Sequence, residues 1–132
     1  MATREITSSE LAHPTKFGSP TALAIRAGDF LHISGTMPWD IERRVVGVGD
    51  VKTQTRQVIK NMEALLREEG GSLKNIVKIT FFLTDIRDKA AVWEVRKEMF
   101  GDARPASTLV EVTHLVDAQS LLEVEAVAYF GK

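Results

Sequence analysis

Cysteine is absent from the 132 residues. That one absence removes disulfides, thiolate nucleophiles and cysteine-ligated zinc, and it fits a reducing, cytoplasmic setting. No apolar run approaches the roughly 20 residues needed to span a bilayer, so no membrane partner is expected. The polar stretch from Met1 to Glu10 has no apolar centre and does not read as a secretory signal. Neither sign of charge dominates: Lys plus Arg is 17, Asp plus Glu is 18, and the formal net charge is −1. Such a chain lacks the electrostatic footprint of a general nucleic-acid binder. Histidine is sparse, and His13, His32 and His114 show no metal-ligand spacing, so they read as ordinary polar or half-buried residues. Gly47-Val48-Gly49 lacks the lysine or third glycine of a phosphate loop.

What is present fits one globular domain over residues 1–132, with 44% hydrophobic and 27% charged residues. Residues 1–20, which carry His13-Pro14 and Ser19-Pro20, read as an irregular segment. Ala22–Ala27, the turn Gly28-Asp29 and Phe30–Ser34 then spell a β-hairpin. Residues 35–49 are loop-like, with Val45, Val46 and Val48 offering a short extended piece. Asp50 is an N-cap, and Val51, Thr55, Val58, Met62 and Leu65 recur at helical spacing until Gly70-Gly71. Ile76–Thr84 reads as a strand, Asp85 to Phe100 as a second helix, and Ser107–Thr113 and Leu121–Phe130 as two more strands. The order β-β-α-β-α-β-β predicts an α+β fold with two helices on one face of a mixed sheet.

Strand alternation sorts the faces. Leu122, Val124, Ala126, Ala128 and Phe130 form an apolar face for the helices. Opposite lie Glu123, Glu125, Val127 and Tyr129, joined by Lys78 and Phe82 and, on this reading, by Ser107, Leu109 and Glu111. A face so mixed suits a subunit interface enclosing polar pockets. The alternative is a half-solvated sheet face.

Three segments, in order, carry a resemblance. They are Phe30-Leu31-His32-Ile33-Ser34-Gly35-Thr36-Met37-Pro38; Gln54-Thr55-Arg56-Gln57-Val58 with Gly70-Gly71 and Val77-Lys78; and Arg104-Pro105-Ala106-Ser107-Thr108-Leu109-Val110-Glu111-Val112 with Leu122–Ala128. Over about residues 20 to 130 the chain resembles the Rid (YjgF) family, also known as endoribonuclease L-PSP. Val46-Gly47-Val48-Gly49-Asp50 resembles the aminoacrylate deaminase branch. The resemblance implies a chorismate-mutase-like fold, a homotrimer with three clefts between subunits, and hydrolysis of small reactive enamines and imines without metal or organic cofactor.

Carried over residue by residue, the resemblance implies that Glu123 sits near the attacking water and that Ser34 and Gly35 line the pocket. The carboxylate-clamping arginine of the family falls on Ser107, which argues against the usual amino-acid-derived imine. An expected aromatic falls on Thr21, with Phe17 nearby, and an asparagine falls on Trp93; packing remains the plain alternative for Trp93, as for Trp39. Arg104 is either a substitute clamp or a surface residue. Glu123 itself is either a general base with a raised pKa or a carboxylate paired with Lys78. Two functional classes follow: an imine or enamine deaminase with an atypical substrate, or a non-catalytic trimer that binds a small molecule or acts as a regulatory, protein-stabilising partner. Ribonuclease activity, attached to older names of the family, is the weakest reading, given near-neutral charge and no histidine pair.

Overall fold

In the computed structural model, which describes residues 2–132, eight regular elements follow one another. They are β1 (Thr3–Ile6), β2 (Ala24–Ala27), β3 (Phe30–Thr36), α1 (Val51–Glu68), β4 (Ile76–Leu83), α2 (Lys89–Phe100), β5 (Ala106–Glu111) and β6 (Leu122–Tyr129). The strands form one sheet in the order β1-β2-β3-β6-β4-β5. β4 and β5 run parallel on either side of α2, and every other pair is antiparallel. The two-helix, mixed-sheet α+β architecture expected from the sequence is therefore present.

The N-terminal segment is not wholly irregular. Thr3–Ile6 pairs with β2, Ile6 is buried, and Arg4 reaches Glu69 at 2.7 Å. Four residues with one buried side chain give too short an alternation to be seen in sequence.

α1 begins where Asp50 accepts the Lys52 and Thr53 amides, at 3.1 and 3.2 Å, which satisfies two of the free N–H groups of the first turn. Its buried stripe of Val58, Ile59, Met62, Leu65 and Leu66 covers one sheet face, where Leu31, Ile79, Phe81, Leu122 and Val124 complete the core. Gly70 follows with φ 75°, a left-handed conformation that costs glycine little. α2 lies beside α1, joined by Lys52–Glu94 and Arg56–Glu98 ion pairs, and Trp93 meets Phe81 edge-on with ring centroids 6.0 Å apart.

Two registers depart from simple alternation. A bulge at Ile76–Lys78 buries Ile76 and turns Val77 outward. β5 alternates as expected but is rotated. Ser107 lies opposite Ile79, Leu109 opposite Phe81 and Glu111 opposite Leu83, so these three share the helix side. Val110 and Thr108 occupy the open face instead. Glu111 accepts the Ile86 amide at 2.9 Å and so fixes the turn entering α2. An edge strand without a continuous apolar face gives no sequence signal for which set points inward.

Buried amides on α1 hold the long loops. Gln54, fully buried, donates to the carbonyls of Gly47 and Gln119 and accepts the Leu121 amide at 2.8 Å. Asn61 donates to the carbonyls of Met37 and Trp39, at 3.1 and 2.9 Å. Replacing Gln54 with Ala would leave the Gln119 carbonyl and the Leu121 amide without these partners, while the Gly47 carbonyl keeps the Asp50 amide. Urea unfolding should show a loss of about 2–4 kcal/mol; a loss below about 0.5 kcal/mol would contradict this role.

Candidate functional site

The β3–β6 pairing shifts by one residue between Ile33 and Thr36. Two residues, Ser34 and Gly35, therefore face the span occupied on β6 by Glu125, which is a β-bulge. The bulge brings the Gly35 backbone against the Glu123 side chain. A Cβ at position 35 would coincide with Glu123 Oε2 and lie 2.9 Å from Cδ. Glycine is required here by space, not by a positive φ. Beside it, Ser34 Oγ donates to the Ala22 carbonyl at 2.7 Å, and Thr36 Oγ1 donates to the Ser34 carbonyl at 2.9 Å.

Glu123, Ser34, Gly35 and Thr21 line one cleft of about 240 Å³, whose far wall is the 37–43 loop with Trp39 and Arg43. Trp39 Nε1 donates to Asp117 at 2.8 Å, tying that wall to the loop before β6. Glu123 is half-buried. Loss of water around it, and secondarily the charge of Glu125, raise its pKa above the ordinary 4.5. Lys78 does not neutralise it; the lysine donates to Thr108 Oγ1 at 2.9 Å.

Phe17 stands at the edge of this region, its ring 4.7 Å from the Arg43 guanidinium. Ser107 and Trp93 lie elsewhere, on the α2–β5 side. Arg96 joins them, donating from Nη1 to Ser107 Oγ at 2.7 Å and stacking over Trp93 at 4.6 Å and Phe81 at 5.3 Å. Burial lowers the Arg96 pKa. Arg104 lines a separate groove with Lys74, Val77 and Asp102. The expected site residues of one chain thus fall into two clusters, with Arg104 apart from both.

Arg96 and Arg43 were not foreseen. Arg96 sits three residues after Trp93 on one helix, a spacing that puts both on one face and was open to inspection. Arg43 had no comparable signal, because its position depends on a turn conformation.

A carboxylate with little water beside a glycine bulge, facing a small cleft, is a site able to hold a small molecule and take up a proton. The family model described as endoribonuclease L-PSP matches residues 13–130. The chain belongs to that family, the Rid family of the sequence resemblance. A RutC family protein of Pyrococcus abyssi is 41% identical over 126 residues, covering 96% of this chain and 97% of the relative. The 3-aminoacrylate deaminase RutC of Acinetobacter baylyi is 37% identical over 111 residues, covering 84% of this chain and 87% of the relative. Among solved structures, E. coli TdcF with bound serine superposes with a TM-score of 0.87 at 26% identity, covering 97% of this chain and 99% of that one.

The raised pKa has a sign that melting can read. The folded protein holds a proton on Glu123 more tightly than the unfolded chain does. The stability tied to this group is therefore fully present below 4.5, its unfolded value, and is lost as pH rises through the higher folded value. Glu123→Gln should melt above the wild type near pH 8, and the gap should close as pH falls to about 4. A gap independent of pH, or a less stable variant near pH 8, would contradict the desolvated state of this carboxylate.

Proposed function

We propose that the protein hydrolyses a small reactive imine or enamine, with Glu123 directing the attacking water. One observation carries this reading: a half-buried carboxylate of raised pKa, not matched to Lys78, forms the wall of a cleft sized for a small molecule. The Glu123 carboxylate takes a proton from water as the oxygen adds to the C=N carbon. With the imine entering as its iminium form, the proton then passes to nitrogen; the C–N bond breaks as the carboxylate takes up the hydroxyl proton, and a carbonyl compound and ammonia leave. A base with a raised pKa suits both directions of that transfer. The 3-aminoacrylate deaminase among the relatives, and the serine held by TdcF, support chemistry on small nitrogen compounds in this fold.

The cleft is shared between subunits of a homotrimer in this proposal. The open sheet face exposes Phe30, Val77, Val110 and Tyr129, more apolar surface than a solvated face favours. The cluster of Trp93, Arg96 and Ser107 lies apart from Glu123 within one chain, so a neighbouring copy is what would set the two clusters against each other. Ser107 in place of an arginine means that the substrate is not held from β5 in the usual way, and the substrate is accordingly atypical. That substitution also favours a second reading, a trimer that binds a small molecule without turning it over.

Imines generated in situ, from the 2-imino acids made by an amino-acid oxidase to larger imines, separate the two readings. Wild-type protein should speed imine decay well above buffer, and Glu123→Ala should lose on the order of 100-fold or more of that acceleration. Equal decay with wild type, variant and buffer, across a panel of imines, would leave the binding reading in possession.

A further inference from the structure

We infer that Arg43 is the anion-recognising residue of the Glu123 cleft, and that the bound molecule carries a carboxylate seated on the 37–43 loop. The inference rests on the cleft proposed above as a binding site, but not on the reaction assigned to it.

Arg43 is the one non-glycine residue with positive φ, 60°, among the described residues. It closes a tight turn in which Asp40 N–H donates to the Arg44 carbonyl at 2.9 Å and Arg43 N–H to the Asp40 carbonyl at 3.0 Å. The Asp40 carboxylate accepts the Glu42 and Arg44 amides, at 2.9 Å each. Such a turn asks for glycine or asparagine at this position, so the turn itself gives no reason for an arginine.

The side chain supplies the reason. The guanidinium carbon lies 4.7 Å from the Phe17 ring and 4.7 Å from the Trp39 ring. Aromatic contacts of this kind use the faces of a guanidinium and leave its N–H groups, which lie in its plane, to seek acceptors at the edge. Nε is buried and finds no hydrogen-bond partner among the described residues, so the terminal Nη groups are the ones left to meet a ligand. The nearby acids are committed elsewhere: Arg44 pairs with Asp40 at 3.3 Å and with Glu42 at 2.9 Å. Arg43 therefore brings a positive charge to the same cleft as Glu123, held by aromatic contact and without an anion. Two parallel N–H groups match the two oxygens of a carboxylate. In a cleft of about 240 Å³ a small molecule can reach both Arg43 and Glu123.

Pyruvate, the product expected from a three-carbon 2-imino acid, and its neutral methyl ester are the probes, titrated calorimetrically into the full-length protein. Wild type should bind pyruvate saturably and prefer it to the ester. Arg43→Asn, which suits the turn, should weaken pyruvate about tenfold or more and leave the ester within about twofold. Arg43→Lys, keeping the charge without the fork, should fall between; it also reads the preference should the Asn variant fold poorly. An unchanged pyruvate affinity in both variants would overturn the inference. So would equal loss for acid and ester, absence of saturable pyruvate binding by wild type, or a loss confined to Arg96→Gln. If wild type binds pyruvate through Arg43 yet accelerates no imine decay, the deaminase proposal fails and this one stands.

Discussion

At the β3 bulge the main chain of Gly35 lies against the Glu123 carboxylate, with no room for a side chain between them. The contact does two things. It covers one side of the carboxylate, and burial is the first cause of its raised pKa. It also fixes where that carboxylate can point, because the glycine wall and the neighbouring Ser34 leave the cleft as the open direction. Without the bulge, Glu123 is one more acidic residue on a sheet face.

The surroundings support the placement from a distance. Gln54 and Asn61, both buried on α1, hold the two loops that face Glu123 by hydrogen-bonding main-chain groups. Trp39 and Asp117 then join those loops to each other. The helix thus orients the far wall of the cleft through polar groups sunk in an apolar stripe. Such groups are costly unless fully paired, and these are. Rigid loops matter for the proposed hydrolysis because a carboxylate and a reacting carbon must be held within about half an ångström of a productive arrangement.

Much of this was legible in the residues alone. The helices, the hairpin and the core face of β6 follow from spacing and caps. Glu123, Ser34, Gly35 and Thr21, assigned by resemblance, line one cleft. Four things were not legible, each for a physical reason. β1 is too short to show a period. β5 sits at the sheet edge, where neither set of side chains is continuously apolar, so Ser107, Leu109 and Glu111 face the helices rather than the open side. The placement of Arg43 follows from a left-handed turn residue that only backbone geometry exposes. The β-bulge too was invisible, since alternation alone puts Gly35 on the buried side of β3.

The most direct test is a carbon-13 titration of the Glu123 side-chain carboxyl in the free protein. The account predicts a midpoint above 4.5, moving down when Glu125→Gln removes the second of its two causes. A midpoint at or below 4.5 would mean a hydrated or paired carboxylate, and the cleft would then have no poised base.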